Sequence, residues 1–142
     1  MLVLFLYEFC AYVVEKLQQK WIQFPQDIHS MQRHIQAFQT DWQFPQCIGA
    51  IDGCHIEVSP PHEEAIDHHN FKGWYSFVLL ECVSADYKFT YINIGSSGHN
   101  NDSHILRNSH LYSLMTSTMM FQCQHTIVPL CLHSFLETQH FH

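Results

Sequence analysis

Two aspartates carry most of the chemistry this sequence could perform. Asp52 is set into an apolar run, Phe44-Pro45-Gln46-Cys47-Ile48-Gly49-Ala50-Ile51-Asp52-Gly53-Cys54-His55-Ile56. A carboxylate in a short buried strand is costly unless it is paired or coordinates a metal. The flanking Gly49 and Gly53 mark a place where a ligand or another backbone could come close, although Asp-Gly is also a common turn pair. Asp102 is the second candidate, within Gly98-His99-Asn100-Asn101-Asp102-Ser103-His104-Ile105-Leu106-Arg107-Asn108-Ser109. At the start of a helix it could equally serve the macrodipole or a cap. Carboxylates converging from separate elements are what Mg²⁺ and Mn²⁺ take as ligands. Such ions stabilise the attacking and leaving oxygens when a phosphodiester is cut.

Other residue types are weaker signals. Lys72 and Arg107 could touch phosphate, or be solvated charges or partners of nearby acids. His99 and His104 lie close to Asp102 and would favour Mn²⁺, which accepts imidazole as well as oxygen. His55 is assigned to the strand edge. Cys123-x-His125 and Cys131-x-His133 have zinc-ligating residue types, but their one-residue gaps differ from finger spacings. Neither a P-loop nor a nucleophile elbow is present in the sequence.

The elements that must position these residues follow from pattern. Leu6, Phe9, Cys10, Val13, Val14, Leu17 and Trp21 recur at helical spacing, which predicts a helix from Phe5 to Trp21 with a buried face. Phe24-Pro25 ends it. A second helix is expected from Asp27, its cap, to Phe38, packed on the first through Ile28, Met31, Ile35 and Phe38. Cys47–Val58 is the first strand, stopped by Ser59-Pro60-Pro61. Trp74–Ala85 and Lys88–Gly95 are two more, and their short connection demands an antiparallel hairpin. Gly95 to Gly98 should be a flexible corner, and one helix should run from Asn101 or Asp102 to about Met115.

Composition limits the alternatives. The 142 residues allow one domain of modest core, 46% hydrophobic and 13% charged. A formal charge of −7 with only six Lys and Arg argues against a free-standing nucleic-acid binder. Six Cys without a Cys-x-x-Cys pair are expected to be reduced and largely buried, as in an intracellular protein. Met1 to Val14 has no basic n-region or small-residue cleavage site, carries Glu8 and is too short to span a bilayer. It is expected to be a buried helix, with no membrane role.

Taken together, five ordered blocks resemble the Harbinger (PIF) transposases and the Harbinger transposase-derived nuclease, a branch of the DDE superfamily endonucleases. The blocks are Phe44-Pro45-x-Cys47-Ile48-Gly49-Ala50-Ile51-Asp52-Gly53, Pro60-Pro61, Lys72-Gly73-x-Tyr75-Ser76, Phe89-Thr90-Tyr91 and Asn101-Asp102-x-x-x-Leu106-Arg107-Asn108-Ser109. The resemblance spans about Trp21 to Met115. It implies an α/β, ribonuclease-H-like fold that is only partly present: an N-terminal helical pair (1–45), then a core (46–116) of a three-stranded antiparallel meander and one covering helix. The remainder (117–142) is a divergent tail that does not align, so the second half is missing. The resemblance further implies a nuclear nuclease with Asp52 and Asp102 as catalytic metal ligands, lying on one side of the sheet. Its cofactor would be Mg²⁺ or Mn²⁺, and its DNA would come through a separate DNA-binding partner protein. The family's later Asp and Glu have no counterpart here, so this chain by itself is expected to be inactive. The alternative is a non-catalytic remnant that serves as a protein-interaction module.

Overall fold

The structure, a computed structural model, describes residues 1–61, 65–122 and 131–132. Its centre is β2 (Ser76–Val83), where Val, Leu and Phe give a segment suited to a pleated, packed surface. Alternate residues Ser76, Val78, Leu80 and Cys82 are fully buried, and the residues between them are half-buried. That burial follows from position, because β1 (Ala50–Glu57) pairs antiparallel on one side and β3 (Phe89–Ser97) on the other. The hairpin joining β2 to β3 closes on Ser84, whose N–H and hydroxyl both reach the Lys88 carbonyl, at 2.9 and 3.1 Å. Tyr87 takes the left-handed conformation in this turn.

Gly95 to Gly98 is not a loose corner. β3 continues to Ser97, and the register slips between Val78 and Leu79 of its partner strand. Gly95, at φ +118°, supplies the backbone conformation there, as an extra bulged residue requires.

The single helix expected after Asn101 is two. The first, α5 (Asp102–Arg107), is capped by Asn101, whose side chain accepts the His104 N–H at 2.8 Å. It stops at Asn108, whose amide donates to the His104 carbonyl at 2.9 Å. The Ser109 hydroxyl donates to the Leu106 carbonyl at 2.7 Å. Such local side-chain bonds compete with the helical ladder, and α6 (His110–Gln122) starts anew. Ile105, Leu106 and Leu111 from this pair cover the sheet face that carries Ile51, Val78, Leu80 and Cys82.

The tail contributes more than its sequence suggests. Cys131–Leu132 forms a strand, β4, parallel to β1 and paired with Ala50 and Ile51, so the sheet order is β3-β2-β1-β4. A three-stranded meander with one covering helix therefore becomes a four-stranded mixed sheet with two. The zinc alternative for the tail lies outside the described residues, apart from the strand residue Cys131.

At the N-terminus the expectation of a buried helix is corrected. One helical rod runs through α1 (Leu2–Val13), a π-helical segment (Val14–Gln18) and α2 (Gln19–Trp21), and none of its residues is buried. No described helix is long and apolar enough to cross a membrane. α3 (Ile28–Trp42) differs because it is docked: Trp42 Nε1 donates to the Ala85 carbonyl at 3.0 Å, and Phe38 packs with Cys47 and Ala85. Its cap is the expected one, with Asp27 accepting the Ser30 N–H at 2.9 Å. The thiols also divide, since Cys47 and Cys82 are buried whereas Cys10 and Cys54 are exposed.

Candidate functional site

β1 brings the first carboxylate to the middle of the sheet. Because side chains alternate along a strand, Ile51, Gly53 and His55 face the helix-covered core, and Asp52 and Cys54 are rooted on the opposite face. Opposite Asp52 in the antiparallel register stands Glu81 of β2. α5 brings the second carboxylate from above. Asn101 is the helix cap, so the Asp102 side chain is not spent on capping. Instead it is laid against Gly53, where an added Cβ would come within 2.5 Å of the Asp102 Cγ and 3.0 Å of Oδ2.

The expectation that both aspartates sit on one side of the sheet is thereby corrected. They are rooted on opposite faces and converge on Gly53 from either side. Asp52 Oδ1 turns back to accept the Gly53 N–H at 2.9 Å, and Asp102 fills the space the missing Cβ would take. Only glycine permits this approach.

Electrostatics reports the same convergence. Partial desolvation pushes the Asp102 carboxyl above its ordinary range, the charge of Asp52 pushes it further, and His55 acts in the other direction. Desolvation also raises Glu81, and Asp52 adds to that shift. Like charges set side by side in this way favour proton uptake or a bound cation. Burial raises the Cys54 thiol; the charges of Glu81 and Asp52 raise it too, while Lys72 lowers it.

Of the other residues singled out by sequence, His99 Nδ1 donates to the Asp67 carbonyl at 2.7 Å. His104 Nε2 accepts from the Asn108 amide at 3.2 Å. Both imidazoles thus have a protein partner, His99 across the fold and His104 within its own helix end. Arg107 ends α5 and is exposed. His55 does more than occupy a strand edge. Its Nδ1 is 2.9 Å from the buried Ser76 hydroxyl, which also accepts from the Asn70 amide at 3.0 Å.

Sequence reasoning missed Glu81, Asn70 and Ser76. Glu81 had a visible signal, since it interrupts an apolar strand as Asp52 does. Ser76 stood in a motif block without a role and Asn70 had no signal, because the roles of both depend on contacts that only the folded chain makes.

Asp52 and Asp102 offer hard oxygen ligands of the kind Mg²⁺ and Mn²⁺ accept. Among the described residues no group of three or more His, Cys, Asp or Glu is gathered closely enough to hold a metal ion. The pair thus fits a partial shell, one that needs water and substrate oxygens to complete it.

A family profile described as DDE superfamily endonuclease matches residues 51–129. That stretch contains both aspartates and runs past 116, beyond the point where the sequence alone stops resembling the family. No curated protein and no solved structure matches the chain.

Proposed function

The chain belongs to the DDE superfamily endonuclease family, and from that premise we propose that it is a Harbinger-type, transposase-derived nuclease domain whose Asp52 and Asp102 hold a divalent metal ion against a DNA phosphodiester. The observation that carries this reading is the convergence of the two carboxylates on Gly53. A bound Mg²⁺ or Mn²⁺ would supply charge stabilisation at the attacking and leaving oxygens. The chain's own residues perform the other tasks. Gly53 clears the space between the aspartates. Asn101 takes the capping role and leaves Asp102 free. Glu81 adds a third negative charge beside Asp52, which raises the local demand for a cation. The ribonuclease-H-like architecture implied by family membership agrees with a sheet in which β1 is flanked by β2 and β4.

Metal binding by this chain is weak in this proposal, millimolar or worse for Mg²⁺ and somewhat tighter for Mn²⁺, because two carboxylates leave most of the shell to water. Cleavage by the chain alone is correspondingly slight or absent. The acidic balance of −7 fits a domain that meets DNA in the nucleus through a separate DNA-binding partner rather than by its own surface charge. Calorimetric titration of the wild type, Asp52→Asn and Asp102→Asn tests the site. The expected result is Mn²⁺ binding lost in both variants, and micromolar Mg²⁺ binding that survives both would sink the assignment.

A second reading, a non-catalytic interaction module, is favoured by one observation: an apolar N-terminal helix with no buried residue. Incubation with supercoiled plasmid and Mn²⁺ separates the two. Nicking abolished by Asp52→Ala supports the nuclease, and an intact plasmid together with Mn²⁺ binding that survives both Asp52→Asn and Asp102→Asn supports the module.

A further inference from the structure

Beside the two aspartates, the turn from Asn70 to Trp74 is held more firmly than an exposed turn needs. Asn70 is buried, and its side-chain oxygen accepts the N–H groups of Lys72, at 2.9 Å, and Trp74, at 3.3 Å. Its own N–H donates to the Trp74 carbonyl at 2.8 Å, and its carbonyl accepts the Gly73 N–H at 3.1 Å. Gly73 turns the chain at φ +90°. The Asn70 amide then reaches the Ser76 hydroxyl, which holds the His55 ring.

This frame presents an unusual tip. Phe71 is 84% exposed, the Lys72 ammonium stands 5.5 Å from its ring centroid, and the His55 ring meets Phe71 and Trp74 edge-on at 5.7 and 5.9 Å. His55 lies on the same strand face as Gly53, against which Asp102 rests, so the tip meets the Asp102 side of the site through His55. An aromatic face and a cation, both held beside a phosphodiester-directed site, match what an unpaired nucleic-acid strand asks for. The ring stacks on a base, and the ammonium meets the adjoining phosphate. Phenylalanine has no donor or acceptor with which to read base edges in a groove, so a duplex interior gives it little.

We propose that the Phe71–Lys72 tip is a binding site for an unpaired DNA strand, which it stacks and anchors next to Asp52 and Asp102 without regard to sequence. This rests on the nuclease reading for its substrate class. The Asn70–Ser76–His55 network is the positioning element that keeps the tip in place.

The test is fluorescence anisotropy of the full chain with a labelled twelve-nucleotide oligo-dT and with a blunt hairpin duplex, at low salt in EDTA, so that no cleavage contributes. The single strand should bind more tightly than the duplex. Phe71→Ala should weaken single-strand binding about five-fold or more, the loss of one base–aromatic stack, and Phe71→Trp should restore it. Lys72→Met should reduce the salt slope by about 0.7. Equal binding by Phe71→Ala and wild type, preference for the duplex, or no binding of either probe by the wild type would overturn the proposal. Because Phe71 is exposed, its variants keep the fold, which circular dichroism verifies. If the tip fails while Asp52-dependent nicking persists, the nuclease reading stands alone. If the tip holds while Asp52→Ala leaves nicking unchanged, the assigned carboxylates fall and the strand site remains.

Discussion

β2 and α1 are nearly alike as strings of letters and opposite as pieces of structure. Each is an apolar run interrupted by one glutamate, Ser76-Phe77-Val78-Leu79-Leu80-Glu81-Cys82-Val83 in the sheet and Leu2-Val3-Leu4-Phe5-Leu6-Tyr7-Glu8-Phe9 at the start of the chain. Leu80 is fully buried, while Leu4 retains 64% of its exposure. The difference is a matter of partners. β2 has a strand on each side and α5 and α6 over one face. Apolar character creates a demand for an opposing surface and does not provide one. Partial desolvation against the sheet, with the charge of Asp52 beside it, is also what raises the carboxyls of Glu81 and of the more exposed Asp102.

The largest expected effect tests this contrast directly. Leu80→Ala should cost about 2–5 kcal/mol of stability, as core truncations do, whereas Leu4→Ala should change it by no more than about 0.5 kcal/mol. Urea denaturation followed by circular dichroism measures both. A comparable loss from Leu4→Ala would mean that α1 is packed in solution and would break the comparison.

Next in size is Gly53→Ala, which sharpens it at the site. The new Cβ displaces the Asp102 carboxylate, the mobile end of a side chain, so the fold should survive nearly unchanged. Mn²⁺ affinity should fall by about ten-fold, since one of two ligands loses its geometry. Calorimetry alongside a thermal melt separates the two quantities, and a variant that melts far lower without losing metal would show that Gly53 serves packing instead.

The smallest effect concerns pH. The Asp102 carboxyl is raised in the folded state, so its ionisation opposes folding. Below its ordinary value of 3.8 the group costs no stability, and stability is lost progressively as pH rises from there through the folded value. In EDTA at neutral pH, Asp102→Asn should therefore raise the melting temperature, on the order of one to three degrees given the exposure of the residue. The gain should vanish near pH 3. A lower melting temperature at neutral pH would show that the carboxylate is stabilised where it lies.

Much of this molecule was legible from short-range pattern. The β2–β3 hairpin, the Asp27 cap and the oddity of a carboxylate at Asp52 all follow from period, turn length and the cost of a buried charge, which neighbouring residues reveal. Asp102 was legible as an acid in a first helical turn, and the ordered motif blocks tied it to Asp52. Glu81 could have been read in the same way as Asp52 and was not, because the continuous apolar run around it outweighed one letter.

What the sequence determined by itself is therefore local: which segments extend, which coil, and which acids are costly enough to need a purpose. The tertiary structure alone decided that Asn101 caps α5 and releases Asp102, and that the two aspartates converge on Gly53 from opposite faces. It also decided that Asn70 and Ser76 connect a turn to His55, that Cys131–Leu132 joins β1, and that α1 stays bare. Each of these depends on residues far apart in the chain meeting in space, and a missing Cβ or a missing opposing surface acts only when that meeting occurs.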